Sequence, residues 1–293
     1  MTNPLLSVLM TAYDREKYIG EAIESILFSS FSDFELIIVD DGSIDQTVSI
    51  ARHYEAKDVR VKLFVNDKNQ GQFANRNIAA SYATGKYIKY VDSDDVIYPY
   101  TLQMMIDAMK EFPKAAMGFC HTIGEAPKPL PFLVQPQEAF RQHYLGGGLL
   151  FIGPIGTIIK TSAFNAVGGF EDFGMPSDNH FSLKIASAYP TVALEANLFY
   201  WRRHSNQVFA IDDNNSKAFL NNYNFSVDLL RKHSPLQPSE NAIIYRNLKK
   251  IFFVNLLKLG VVKVKPALAY AYYKAYCDIN AANKKNTKKS FLK

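Results

Sequence analysis

At 293 residues, 48% of them apolar and 13% aromatic, the chain can bury one large α/β core and still carry an appendage. No run reaches the roughly 18 apolar residues of a membrane-spanning helix, and the two cysteines, Cys120 and Cys277, exclude a disulfide framework or a Cys-based zinc site. The net charge of +5 is uneven: residues 239–293 hold twelve Lys/Arg against two acids, leaving the remainder at −5, which bears on partners and not on fold.

The short apolar run within residues 1–10 has no basic segment before it and no small-residue cleavage site after it. A secretory leader is therefore not expected, and the cytoplasm or the inner face of the membrane is the expected compartment. From there to residue 120 two periodicities alternate. Apolar, β-branched runs at 5–13, 34–40, 59–66, 87–91 and 115–120 read as strands, and segments with helical spacing at 18–27, 47–54, 73–83 and 102–112 lie between them. Strand starts about 25–29 residues apart predict βα units and a mostly parallel sheet flanked by helices. Such sheets bind ligands beyond the carboxyl ends of their strands, here Tyr13, residues 40–43, 66–72 and 92–95.

Prolines 127, 129, 131 and 136 mark 125–136 as a connecting loop. A helix is expected at 137–145, a flexible joint at 146–148, a strand at 156–160, a short helix at 162–167 and a turn at 168–170. A helix at 181–188 and late strands at 191–196 and 199–203 complete a body of 1–213, with 1–120 and 121–213 as its halves. Residues 214–293 read as a helical basic extension, with helices at 218–231, 241–259 and 266–279 and a frayed polar tail from 283.

The strongest chemical signal is Asp92-Ser93-Asp94-Asp95 at the end of an apolar strand. Crowded carboxylates are costly unless a cation compensates them, and carboxylate oxygens suit Mg²⁺ or Mn²⁺ together with phosphates. Asp40-Asp41-Gly42-Ser43 is the second: Gly42 serves a tight turn and Ser43 or Asp45 a helix cap, while an aspartate at the sheet mouth suits a base ring N–H. Tyr13 offers a stacking face. Gly71 permits close backbone approach, and Arg76 supplies a forked cation for a diphosphate. Neither G-x-G-x-x-G nor G-x-x-x-x-G-K is present, which removes the dinucleotide and P-loop readings.

In order, Ser7 to Tyr13, Phe34 to Ser43, Gly71 to Asn77, and Gly85 to Asp95 resemble family two of the inverting glycosyltransferases, with a GT-A-type fold. The likeness is dense over 5–112 and looser to about 207. It implies a nucleotide-sugar donor, usually a UDP-sugar, and Mn²⁺ or Mg²⁺. By it Thr11, Ala12 and Tyr13 line the base pocket, Asp41 accepts from the base, and Gly71 and Arg76 face the diphosphate. Asp92 and Ser93 lie by the ribose and metal, and Asp94 coordinates the metal. Gly168-Gly169-Phe170 resembles the family's segment near the acceptor, and the family's acidic pair follows it. Ser177-Asp178 stands in that place, with Ser where Glu is usual, so Asp178 is the expected base and Glu171 and Asp172 its rivals. The segment 201–207 resembles one that folds over the diphosphate, with His204 as a metal ligand or phosphate contact, and 146–148 and 204–215 are the expected closing segments. The implied acceptor is a glycan or a lipid-linked glycan.

Two other readings compete with this transferase. A sugar nucleotidyltransferase would carry a Gly-rich basic loop after the first strand, whereas 11–18 has no glycine. A catalytically silent sugar-nucleotide-binding protein is disfavoured by intact Asp41, Asp92 and Asp94. The basic, aromatic C-terminal helices suit a membrane surface or a second copy of the chain. Nucleic acid is not expected, because the body is acidic and no recognition motif is present.

Overall fold

The computed structural model describes residues 3–121, 126–204 and 212–290, the side chains of 212–216 and 282–290 excepted. The chain forms two compact units, Met1–Asp172 with Phe181–Arg203, and Phe173–His180 with His204–Lys293.

In the first unit the sheet grows from βα repeats: β1 (Leu6–Ala12), α1 (Ile19–Leu27), β2 (Phe34–Asp40), α2 (Thr47–Lys57), β3 (Val61–Val65), α3 (Gln72–Ser81) and β4 (Tyr87–Tyr90). Every residue of β2 is buried, so both faces of the sheet are covered there, as its unbroken Leu-Ile-Ile-Val run requires. Helix α1 meets the core with Ile19, Ala22, Ile23 and Ile26, the i, i+3, i+4, i+7 stripe of a half-buried helix. Helix α4 (Thr101–Glu111) repeats the device with Leu102, Met105, Ile106 and Met109.

Beyond β4 come β5 (Val96–Ile97), β6 (Met117–Cys120), β7 (Phe132–Val134), α5 (Pro136–Leu145), β8 (Thr157–Lys160), α6 (Thr161–Val167), α7 (Ser177–Ala188), β9 (Thr191–Leu194) and β10 (Phe199–Tyr200). The eight-stranded order is β3-β2-β1-β4-β8-β6-β9-β7, and β5 with β10 forms a separate ribbon. The β3-β2-β1-β4 half is parallel throughout. Strand β8 runs antiparallel to β4 and β6, and β7 antiparallel to β9.

Three expectations need correction. The proline-rich loop contains β7, because Phe132-Leu133-Val134 lies past its last clustered proline and is free to pair with β9. Helix α7 begins at Ser177 and not at 181, so Asp178 sits inside its first turn. In the second unit α8 (Asp212–Lys232) and α9 (Pro238–Leu257) precede α10 (Pro266–Ser290), which continues well past 279 through the Lys- and Asn-rich sequence. That unit has its own core of Leu220, Tyr223, Val227 and Phe252, with Leu256, Tyr272 and Tyr276 packed around it.

Candidate active site

Because β3, β2, β1 and β4 run parallel and in adjacent register (Ala12 opposite Asp40, Leu9 opposite Tyr90), their carboxyl ends open on one edge of the sheet. Tyr13 leaves that edge 43% exposed, a free aromatic face beside buried Ala12 and half-buried Thr11. The Ala12 carbonyl accepts from the amide of Asp41 at 2.8 Å. Asp40 closes the turn after β2: its Oδ1 accepts from the amides of Gly42 and Ser43 at 3.1 and 2.8 Å, and its Oδ2 from Ser43 Oγ at 2.5 Å. Gly42 takes φ +82 there, a value L side chains avoid.

Asp41 is buried and acts as a hub. Its Oδ1 accepts from Asn66 Nδ2 and the Gln70 amide, both at 2.8 Å, and its Oδ2 from the Gly71 amide at 3.0 Å. Asn66 also donates to Asn75 Oδ1 at 3.0 Å, and Asn75 donates to the Val39 carbonyl at 3.0 Å. A carboxylate has about four lone-pair sites, so among the described residues one direction on Oδ2 is left open. Gly71, at φ +88, starts α3 and leaves open space where a Cβ would stand.

After β4, Asp92 and Asp94 each pair with an arginine and Asp95 accepts from a backbone amide. Arg76, only 2% exposed, lies over the rings of Phe73 and Phe170 at 5.8 and 5.6 Å and donates from Nη2 to Asp92 Oδ1 at 2.9 Å. Arg15 Nε lies 3.2 Å from Asp94 Oδ2, while its Nη1 donates to the carbonyls of Tyr13 and Asp14 at 3.0 and 3.1 Å. The Arg202 amide donates to Asp95 Oδ1 at 3.0 Å, and its Nε to the Asp94 carbonyl at 2.9 Å. Burial first, then the charge of Asp92, push Asp95 up to about 7. Beneath them Lys89, fully buried on β4, donates to the Tyr90 carbonyl at 3.1 Å and to that of Ile155. Burial pushes its ammonium down to about 8 against the pull of Cys120, Asp92 and Asp95. Ser93 is buried within the turn.

The glycine-rich segment near the sequence-predicted acceptor side is clamped by Asn77. Its Nδ2 donates to the Phe170 carbonyl and its Oδ1 accepts from the Phe170 amide, both at 2.9 Å. Glu171 is ion-paired with Lys184. Asp178 and His204 belong to the second unit, Asp178 in the first turn of α7, and Asp172 ends the first segment of the first unit. Residues 205–207 of the 201–207 motif, and most of the 204–215 closing segment, lie outside the described residues. Among the described residues there is no group of three or more His, Cys, Asp or Glu poised to hold a metal. Asp92 and Asp94 offer oxygen donors of the kind a hard divalent cation takes, each engaged by an arginine, Arg76 and Arg15 respectively. Sequence reasoning missed Arg15, Arg202, Lys89 and Asn77. A lone Arg after the first strand carries no local signal, whereas Lys89 inside an apolar strand does.

A model of glycosyl transferase family 2 matches residues 7–168. An uncharacterised glycosyltransferase of Haemophilus influenzae is 42% identical over 109 residues, covering 37% of this chain and 44% of its own. The GalNAc(5)-diNAcBac-PP-undecaprenol beta-1,3-glucosyltransferase of Campylobacter jejuni is 29% identical over 147 residues, 50% of this chain and 44% of that one. These matches take in less than half the length of either relative. Among solved structures, S. aureus TarS 1-349 in complex with UDP-GlcNAc superposes with TM-score 0.67 at 22% identity, over 87% of this chain and 76% of that one. That likeness gives the GT-A fold.

Proposed function

The chain belongs to glycosyl transferase family 2, and from that premise we propose that it moves a sugar from a nucleotide donor, a UDP-sugar, to a hydroxyl of a glycan or lipid-linked acceptor with inversion. The observation that carries this reading is the pairing of Asp92 with Arg76 and of Asp94 with Arg15 at the same sheet edge where Asp41 ties down residues 66–71. Carboxylates from separate strand ends are held there, Asp94 by the arginine of the turn after β1. The Campylobacter relative's lipid-linked substrate and the UDP-GlcNAc of the TarS complex support the acceptor and donor classes.

In this reading Tyr13 stacks on the base and the open direction of Asp41 Oδ2 receives its ring N–H. The N-terminus of α3, entered through Gly71, borders the diphosphate, with Arg76 behind it on Asp92. A divalent cation, Mn²⁺ or Mg²⁺, held by Asp92 and Asp94 would offset the charge that builds on the leaving nucleoside diphosphate. Asp178 accepts the proton of the acceptor hydroxyl as its oxygen bonds to the anomeric carbon and the bond to the diphosphate oxygen breaks on the opposite face. One displacement inverts the centre without a covalent intermediate. Glu171, already engaged by Lys184, is a poorer base.

The test is UDP release from a panel of UDP-sugars, with Mn²⁺ or with EDTA, for wild type, Asp94→Asn and Asp178→Asn. Release is expected with one sugar, lost in EDTA and in Asp94→Asn, and reduced about 100-fold or more in Asp178→Asn with UDP affinity retained. Wild-type turnover in Asp178→Asn would remove the base assignment, and failure to bind or turn over any nucleotide sugar would remove the whole reading.

A further inference from the structure

Helix α9 is apolar on two faces. One carries buried Ile244 and, packed into the second unit's own core, Leu248, Phe252 and Leu256. The other, with Ile251, Val254 and Leu257 at 57%, 44% and 65% exposure, stays largely open among the described residues. A helix of an ordinary soluble domain has one such stripe and a polar back.

The exposed face runs on into the corner between α9 and α10. A π-turn over Lys258–Val262 is closed by the Lys263 amide donating to the Lys258 carbonyl at 3.0 Å, and the Lys265 amide donates to the Leu259 carbonyl at 3.1 Å. Leu259 anchors the corner inward at 3% exposure, while Val261, Val262 and Val264 project outward at 67%, 74% and 77%. Val264 takes φ +51, a left-handed conformation that a β-branched residue disfavours. Three valines are thus presented to the outside on a hydrogen-bonded turn, one of them against its backbone preference.

The charge around this corner has one sign. Residues 241–277 contain seven Lys/Arg and no Asp or Glu, and Lys250, Lys258, Lys263 and Lys265 are all exposed beside the apolar side chains. A second copy of the chain would set like charge on like. An anionic lipid surface complements both properties, its phosphates meeting the lysines and its acyl boundary the valines. No helix among the described residues is long and apolar enough to cross a membrane, so the contact is a resting one.

We infer that the α9–α10 corner docks the protein on an anionic lipid bilayer, with Val261, Val262 and Val264 entering the headgroup boundary and Lys258, Lys263 and Lys265 pairing with lipid phosphates. The inference is independent of the sugar-transfer reading. The experiment is flotation of the full chain with vesicles of phosphatidylcholine alone or mixed with phosphatidylglycerol, in low and high salt. Wild type is expected to float with the mixed vesicles and be released by salt. The triple change Lys258→Gln, Lys263→Gln, Lys265→Gln should weaken binding on the order of 100-fold, since each lysine near the surface contributes about tenfold at most. The triple change Val261→Ser, Val262→Ser, Val264→Ser should weaken it about 10-fold or more while the thermal melt is unchanged. Equal flotation on neutral and anionic vesicles, or none on either, overturns the inference for wild type without recourse to a variant. A dimer in light scattering that the valine changes dissolve, with no flotation, assigns the face to a second copy instead.

Discussion

Arg15 Nε lies 3.2 Å from Asp94 Oδ2 and thereby joins the turn after β1 to the turn after β4, 79 residues apart in sequence. The Arg15 amide donates to Thr47 Oγ1 at 2.7 Å, so the guanidinium is staked from its own backbone as well. A cation is already lodged on the carboxylate proposed to hold a divalent one, and the two compete. Arg15→Ala is expected to raise the affinity of the donor-free protein for Mn²⁺ by about two- to fivefold, the worth of a partly exposed ion pair. Electron paramagnetic resonance of free Mn²⁺ measures this directly, and an affinity unchanged or lowered would mean that Arg15 does not oppose the ion.

Asp41 organises the nucleotide side through three donors, Asn66 Nδ2 and the amides of Gln70 and Gly71. Asp41→Ala takes an acceptor from all three: Asn66 Nδ2 keeps Asn75 Oδ1 and the Gly71 amide keeps Asn69 Oδ1, while the Gln70 amide is stranded. The expected loss is about 1–3 kcal/mol of folding stability and at least about tenfold in UDP affinity, with the secondary structure intact. Urea unfolding and calorimetry with UDP separate the two effects. Asn66→Ala, which removes one donor and leaves the carboxylate, should cost less on both counts.

The strand ends that carry these groups were legible because β1, β2 and β4 are continuous apolar runs whose polar residues begin where the pairing stops. Asp41, Asp92 and Asp94 could be named as site candidates for the same reason. Of their partners only Arg76 could. Arg15 and Arg202 are brought to the acidic turn by sheet order and by a chain return of more than a hundred residues, and no local pattern encodes either. Strand β7 is three residues long and was hidden by the prolines before it. The first turn of α7 was hidden because its apolar spacing starts only at Phe181, while the residues before it, Ser177 to His180, are polar. Beyond 279, α10 lacks apolar spacing yet stays helical, since Ala, Lys and Asn tolerate the conformation without asking for burial.

Asn77 makes a two-bond clamp on Phe170 and sits against Gly169, whose φ is +72. A Cβ at Gly169 would stand 2.5 Å from Asn77 Oδ1. Gly169→Ala therefore combines a strained backbone with a clash on the clamp, and is expected to cost about 2–4 kcal/mol. Asn77→Ala should cost about 1–3 kcal/mol by leaving the Phe170 amide and carbonyl unmatched. The double variant is the discriminating measurement. Because the clash needs the Asn77 side chain, the two losses should add to less than their sum, whereas strict additivity would mean that Gly169 is required for its backbone alone.

His143 gives the chain a pH dependence of defined sign. It is buried on α5 between the rings of Tyr144 and Phe151, at centroid distances of 4.9 and 4.6 Å, and its Nδ1 accepts from the Leu150 amide at 3.3 Å. Burial pushes its pKa down to about 4 from the usual 6.5. Above 6.5 the imidazole is neutral in both folded and unfolded chains. Between 6.5 and 4 the unfolded chain binds a proton that the folded one refuses, so stability falls as pH falls, by up to about 3 kcal/mol when the shift is fully expressed. Other acid-sensitive groups contribute to the same slope, so the comparison must be with a variant. His143→Gln keeps an acceptor for the Leu150 amide and removes the titration. It should start less stable than wild type at pH 8 through lost ring contacts, and the gap should narrow steadily as urea unfolding is repeated from pH 6.5 down to 4.5. A gap independent of pH would show that the ring is hydrated, and protonated, in the folded protein.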